Sequence, residues 1–301
     1  IMDQVPENMR PKVYARCLAQ TIDPDDFVHV WGMYPWMSKY EKMVSEFVDG
    51  ILCASEEMVA HIKIAGWNTE LYVTGLPFGK DEVNMRVPER EYMYDRRSNR
   101  VCFAARWDQE KQPDFFMDLA HQWQLTHELW SDAAIPPPKT EFAICCGGPL
   151  RSNDPKLLER ARELEEIEVI KVYENLKKDE YYNILADSKV LFNCALQDWV
   201  SNTVSEADTL NTMTLFPAYR SFPEVFANNP EQMYIPWSQE DAMRKLEWQL
   251  EQSVPPRWVG KVSDYQNETI NRTIDVFQNP IDTKHKRGGN RYRNVVSIPK
   301  Y

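Results

Sequence analysis

The sequence predicts an α/β chain built from two Rossmann-like units. Short apolar runs alternate with amphipathic segments along most of its 301 residues. Several of those runs are apolar throughout rather than at every second position, as in parallel strands covered by helices on both faces. The alternation breaks once, at the polar, arginine-rich stretch 79–99, and then starts again. A break of that composition reads as a linker between domains.

Taken in order, 27-FVHVWG-32 after the turn residues PDD predicts a strand, and 34-YPWMSKYEKMVSEF-47 a helix. Next come a strand at 50–55 and a helix from Ser55 to about Ala65, with Ser55 as N-cap and Glu56 and Glu57 in the first turn. A third strand spans 70–77. Beyond the linker, strands are expected at 100–106, 140–148, 167–174, 189–196 and 212–219. Helices are expected at 113–125, 155–167, 178–188, 201–210, 239–253 and near 264–277, with 131–139 as a loop. This gives an N-terminal domain over 1–90, a second domain over 99–263, and a C-terminal helix and tail over 264–301 that returns to the first. Three strands are few beside the five or six of a doubly wound domain. The first residue is Ile1, so the N-terminal domain is expected to be incomplete.

Composition narrows the function classes. Hydrophobic residues make up 43% and aromatics 12%, enough for packed cores. No apolar run approaches the ~18 residues of a membrane span, and the first residues lack the pattern of a signal peptide. The six cysteines are scattered, four of them inside apolar runs. They read as reduced, buried thiols of a cytoplasmic protein, which makes the N-x-T matches at Asn267 and Asn271 incidental. A net charge of −11 argues against a general nucleic-acid coat. Two basic clusters run against that balance, 96-RRSNR-100 and 284-KHKRGGNRYR-293. Both suit a solvated surface, and both suit a phosphate backbone.

Chemistry concentrates in 196-LQDWVSNTVSEADTLN-211, where Asp198 and Glu206 enclose seven residues at a strand-to-helix junction. Ligands of open α/β sheets bind beyond the carboxyl ends of the strands, and Asp198 stands there. Ser201 is a fit N-cap, so the amides of Asn202 and Thr203 would face a bound anion, phosphate first of all. Glu206 lies about one and a half turns on, within reach of ribose hydroxyls beside that phosphate. Asn211 tolerates the left-handed conformation that ends a helix. The same acids also read as ordinary helix-start carboxylates favoured by the macrodipole. In 106-RWDQEK-111, Arg106 and Lys111 can neutralise a diphosphate by charge-assisted hydrogen bonds. In 147-GGP-149, Gly147 permits close backbone approach, or simply makes a turn.

RWDQEK, CGGP, the Asp198–Glu206 pair with 206-EA-207, and 222-FPEV-225 follow one another in an order and spacing that resembles the nucleotide-binding half of GT-B glycosyltransferases of the retaining family 4 type. More loosely, 48-VDGILCASEEMVAHI-62 resembles the front-domain strand whose Ser faces the cleft. The resemblance spans about 25–280. It implies two Rossmann-like domains facing a cleft, and transfer of a hexosyl or pentosyl group from a UDP- or GDP-sugar with retention and no metal or other cofactor. Arg106 and Lys111 would hold the diphosphate and Asp198 would contact the donor sugar. The amides near Ser201, Asn202 and Thr203, with Gly147, would support the phosphates. Glu206 would bind the ribose, and the base would lie between Tyr173 and Leu176. His29 is the nearest counterpart of the family's cleft histidine, with Trp31 as the other occupant of that place. The sequence departs from the family in having Asp198 for Glu, and Ser201 and Asn211 for glycines. Acceptors open to this fold include glycans, lipids, small metabolites and hydroxymethylated bases of DNA, the last suited to the basic tail. A nucleotide-sugar-binding scaffold without turnover is the alternative, and so is a hydrolase or epimerase of the same two-domain shape that releases free sugar without an acceptor.

Overall fold

A computed structural model describes Pro6, Met9, and residues 11–18, 21–87, 94–128, 139–226, 230–253 and 262–279. The predicted loop at 131–138, part of the arginine-rich stretch (88–93) and the basic tail at 284–293 lie outside these residues. The chain divides into two compact units, Ile1–Pro77 with Asn267–Tyr301, and Phe78–Gln266.

The first unit holds a three-stranded parallel sheet in the order β1 (Tyr14–Arg16), β2 (Gly50–Cys53), β3 (Leu71–Val73). Its helices before β3 are α1 (Phe27–Val30), α2 (Tyr34–Phe47) and α3 (Glu56–Ile64). Ser55 caps α3 as expected, its hydroxyl accepting from the Met58 amide. The segment 27–32 is not a strand. The Asp26 carboxylate accepts from the Val28 amide at 3.1 Å, which starts a helical turn, and Gly32 at φ +68° ends it. The Asp26 cap outweighed the strand-like composition of the residues after it. The strand in its place, β1, is three residues long and carries no apolar run. It is held from outside the sheet as well: Arg16 donates to Gly75 O at 2.6 Å and to Thr273 Oγ1 at 3.4 Å. Helix α11 (Val262–Gln278) supplies Thr273, Val276 and Phe277 to this unit, and the Phe277 ring lies 5.4 Å from Tyr14.

The second unit is a six-stranded, all-parallel sheet: β4 (Ser98–Phe103), β5 (Glu141–Cys145), β6 (Lys171–Tyr173), β7 (Ser188–Phe192), β8 (Met213–Pro217) and β9 (Met233–Tyr234). Their spatial order is β6-β5-β4-β7-β8-β9, the 3-2-1-4-5-6 order of a dinucleotide-binding sheet. The inner strands β5, β7 and β8 are buried along nearly their whole length because helices cover both faces, as is the second half of β4, whereas the edge strand β6 is half-buried and begins at the exposed Lys171. Val101, Phe103, Phe142, Ile144, Val190 and Phe192 pack on α5 (Pro113–Glu128), α6 (Pro155–Glu166) and α10 (Gln239–Glu251). Their neighbours Cys102, Ala143, Cys145 and Leu191 pack on α4 (Lys80–Arg86), α7 (Lys178–Asp187), α8 (Asn202–Thr209) and α9 (Phe222–Val225). Each fully buried phenylalanine contributes on the order of 2–3 kcal/mol. All six cysteines are free thiols, and only Cys146 is partly exposed.

The described part of the stretch 79–99 is packed into the second unit. It contains α4, whose Val83 is buried, with Val87 following it in the same core, and it begins β4 at Ser98. Two arginines of the cluster 96-RRSNR-100 are structural. Arg97 is 7% exposed and donates to Ser188 O, Leu210 O and Thr212 Oγ1 at 3.2, 2.8 and 2.9 Å. Arg100 pairs with Glu141 at 2.5 Å and Asp187 at 3.2 Å. Neither faces outward to track a phosphate backbone. Arg96 alone of the cluster's three arginines is exposed. Replacing Arg97 with Met leaves three buried acceptors without their donor, at a cost of about 2–4 kcal/mol. Arg96→Ala should stay within ~0.5 kcal/mol of the parent. Urea midpoints of the two variants side by side check this, and equal midpoints would contradict it.

Candidate functional site

The carboxyl ends of β4 and β7, adjacent in the sheet, carry the two motifs that the sequence singles out. After β4 the chain passes Arg106 and makes a 3₁₀ turn, Gln109–Lys111. After β7 it runs through Gln197 and Asp198 to α8. Lys111 joins the two loops. Its Nζ donates to Asp198 Oδ1 at 2.9 Å and also to the Gln197 carbonyl. The backbone is tied in parallel, with Leu196 N–H donating to Glu110 O at 2.7 Å and the Cys194 thiol donating to Lys111 O at 3.3 Å. Lys111 is 7% exposed. A buried ammonium needs its charge matched and its donors used; Asp198 matches the charge, and Asp198 and the Gln197 carbonyl accept from it.

Arg106 is half exposed and lies against two acids, Asp108 at 3.0 Å and Glu110 at 2.6 Å. Glu110 is buried, and burial pushes its carboxyl above the ordinary range. Arg106 and Lys111 work against that shift without cancelling it. Arg106, Lys111 and Asp198 are therefore brought to one edge, with Arg106 the more accessible cation.

Ser201 is the N-cap of α8, in extended conformation, but its side chain makes no capping bond to the helix. Its hydroxyl is taken by Asn193 Nδ2 at 3.1 Å and lies 3.2 Å from Thr203 Oγ1. The first amides of α8, at Asn202 and Thr203, are left without a side-chain cap from Ser201, the condition under which a helix start receives an anion. Asn211 follows the helix at φ +56°, the left-handed conformation expected of it.

Glu206 is buried inside a ring of three donors. Lys178 Nζ lies 2.7 Å away, Tyr181 Oη 2.9 Å and Tyr182 Oη 3.0 Å. The three come from one face of α7, at positions i, i+3 and i+4. Burial and the Glu206 carboxylate push Tyr181 well above its ordinary pKa. For Lys178, burial opposes the charge, and the hydrogen bonds to Glu206 and Tyr182 outweigh it, leaving the pKa raised. These donors went unread in the sequence, although the spacing of 178-KDEYY-182 was the available signal.

The remaining expected residues are placed differently. The loops after β5 and β6 do lie together, with Asn175 N–H donating to Gly148 O and Leu176 N–H to Cys146 O, both at 3.0 Å. Neither Gly147 nor Gly148 has positive φ, and a Cβ at Gly147 would come no closer than 3.9 Å to Leu176 O. Glycine is not required there by the chain itself. The Tyr173 hydroxyl is spent on Glu141 Oε1 at 2.9 Å, and its ring faces Arg100 and Lys171. Glu141 is the first residue of β5, so this ring turns back along the sheet, away from the carboxyl edge. His29 belongs to the first unit, on α1 and not on a strand. Its Nε2 lies 3.3 Å from Thr21 O, and its ring packs at 4.5 Å on Tyr34. Trp31 is half exposed. Among the described residues no cluster of three or more His, Cys, Asp or Glu could hold a metal ion. Among them, too, no helix is long and apolar enough to cross a membrane.

Neither a family model nor a curated protein sequence matches the chain. Solved structures do. The chain is similar to a UDP-forming α,α-trehalose-phosphate synthase from Burkholderia xenovorans, at TM-score 0.64 and 11% identity over 90% of this chain and 68% of that one. It is similar to S. aureus TarM, solved with fondaparinux, α-GlcNAc-glycerol and UDP, at TM-score 0.62 and 12% identity over 90% and 52%. An E. coli trehalose-6-phosphate structure bound with UDP-2-fluoro glucose matches at TM-score 0.60 and 9% identity over 88% and 65%. The chain has a GT-B glycosyltransferase fold. It spans between half and about two thirds of the length of these three chains. At such identities the likeness is one of fold, and fold alone does not fix activity.

The donor ring around Glu206 is open to a direct check. Tyr182→Phe removes one donor from a buried carboxylate, and stability should fall by about 1–3 kcal/mol. Urea unfolding measures it, and a loss below ~0.5 kcal/mol would mean the ring does not hold Glu206 in solution.

Proposed function

We propose that the chain is a glycosyltransferase that takes its sugar from a nucleotide-sugar donor bound at the carboxyl edge of the six-stranded sheet. The observation that carries the reading is the Lys111–Asp198 contact at 2.9 Å, next to an α8 start that Ser201 leaves without a side-chain cap. A GT-B fold sets the context in which that arrangement binds nucleotide sugars. The diphosphate lies between Arg106, Lys111 and the first amides of α8, and the ribose lies on Glu206. Asp198 faces the donor sugar. The base lies by the backbone of Asn175 and Leu176, with Tyr173 omitted because its hydroxyl and ring are engaged elsewhere. His29 has no role in the proposal.

The chemical demand on such a site is stabilisation of charge. When the bond from the anomeric carbon to the phosphate oxygen breaks, negative charge develops on the departing nucleoside diphosphate. Two cations and a helix start aimed at it lower the barrier without reorganising, and no metal is needed in this reading. Retention follows if the acceptor hydroxyl attacks from the face that the diphosphate leaves, with the released phosphate oxygen taking its proton. Glycan and small-molecule acceptors fit this chain better than DNA. Two of the arginines that favoured a nucleic-acid backbone, Arg97 and Arg100, are spent inside the fold.

A second reading has one observation in its favour. Asp198 is a methylene shorter than glutamate and is already paired with Lys111, which suits a nucleotide-sugar-binding scaffold without turnover. Thermal shifts with UDP-, GDP-, ADP- and TDP-sugars, with assay of released nucleoside diphosphate, separate the two. One donor should stabilise the parent and not Glu206→Ala, and the parent should release its diphosphate slowly to water or faster to a glycan. Stabilisation without release would leave the scaffold. No stabilisation by any of them would remove both.

A further inference from the structure

Besides Asn175 after β6, a residue type that tolerates it, three residues without a glycine's freedom take left-handed backbone conformations at the carboxyl edge of the second sheet. They are Gln112 at φ +48°, Arg220 at +54° and Trp237 at +63°. Each follows a different strand: β4, β8 and β9. Such conformations persist where the surroundings hold them, and these three are held by contacts that lead to one another. With its amide turned so that nitrogen meets acceptor and oxygen meets donor, Gln112 donates to Cys194 O at 2.8 Å and accepts from the Trp237 indole N–H at 3.2 Å. The Trp237 ring meets Tyr219 edge-on at 5.3 Å. Arg220 lies over Tyr219 at 5.6 Å, and its Nε donates to Leu196 O at 3.3 Å.

The result is a large aromatic ring fixed on its polar edge and on one side, yet 57% exposed. A tryptophan there meets no core requirement, because the apolar core under β9 is filled by Met233 and Tyr234. It is also continuous with the candidate site. Gln112 is the residue after Lys111, and Leu196 is two residues before Asp198. Strand order gives the direction. The loop after β6, assigned above to the base, stands at one edge of the sheet, and β9 stands at the other. A donor laid from the base across Glu206 to Lys111 and Asp198 points its sugar end toward β8 and β9.

We propose that Trp237, braced by Gln112 and Tyr219, is a stacking shelf for a saccharide ring at the sugar end of the candidate site. The face of an indole carries negative charge density, and a pyranose ring offers it a face of weakly positive C–H groups. Polar groups at the shelf's rim, Gln112 and Arg220, suit the ring's hydroxyls. The ring is either the sugar being transferred or a sugar of the acceptor. The placement rests on the donor reading above, but binding of a saccharide to the shelf does not require it.

The test follows the indole N–H resonance of Trp237 by NMR in the full chain, assigned among ten tryptophans by its loss in Trp237→Phe. The titrants are maltotriose, UDP-glucose and GDP-mannose, with UDP and GDP as controls. Movement with maltotriose alone supports the shelf and makes its ring an acceptor sugar. Movement with a nucleotide sugar, but with neither maltotriose nor the nucleoside diphosphates, supports it and makes the ring the transferred sugar. Movement of equal size with UDP or GDP alone overturns it, because the nucleotide and not the sugar is then sensed. A resonance fixed under all five overturns it as well. Failure of the donor reading is seen separately, as absence of Glu206-dependent thermal stabilisation by any nucleotide sugar.

Discussion

The second unit's chemistry depends on one buried cation. Lys111 leaves the carboxyl end of β4 and reaches the loop after β7, where it meets both the Gln197 carbonyl and the Asp198 carboxylate. An ammonium so placed is tolerable only while its partners stay. It therefore fixes the separation of two loops that the sheet alone would leave free. Arg106, on the same loop, inherits a defined position, and so does Ser201, three residues past Asp198. Ser221 adds a brace from the far side, donating to Asp198 O at 2.6 Å.

The same economy of buried polar groups recurs where no ligand is expected. Arg97 closes the backbone carbonyls of Ser188 and Leu210. Gln249 donates to Thr214 O at 3.1 Å and Glu231 O at 2.8 Å. These side chains satisfy carbonyls at strand and helix ends that lie too deep for water. Glu206 differs in kind. A carboxylate holding three side-chain donors from a single helix face is more than a helix start requires, and Lys178, its charged donor, is half exposed.

Much of this was legible in the residues because one rule generated it. The inner strands of the second unit, β5, β7 and β8, are buried on both faces and so stand out as apolar runs, and Ser55 and Asn211 mark helix ends by their own chemistry. What was not legible was set by contacts outside the local pattern. Strand β1 has no apolar run and exists through pairing with β2 and support from α11. Residues 27–32 read as a strand because Asp26 reads as part of the preceding turn and not as a helix cap. Helix α4 was hidden because its polar face outweighs the single buried Val83. At the carboxyl edge of the second sheet, Arg106, Lys111, Asp198, Ser201 and Glu206 were singled out by motif spacing. The turn of the Tyr173 ring back to Glu141 was not legible, because strand position says where a residue starts and not where its ring turns. Trp237 and Gln112 escaped notice because their meeting depends on two left-handed residues that no motif announces.

The proposed function requires a nucleoside diphosphate across β4 and β7, between Lys111 and the start of α8. The most direct measurement is a crystal structure of the protein with the nucleoside diphosphate that stabilises it most. Phosphates are expected within hydrogen-bonding distance of Lys111, Arg106 and the Asn202 and Thr203 amides, with the ribose hydroxyls on Glu206. A nucleotide bound elsewhere, with the Lys178–Glu206 contact and the α8 start untouched, would contradict the proposed function.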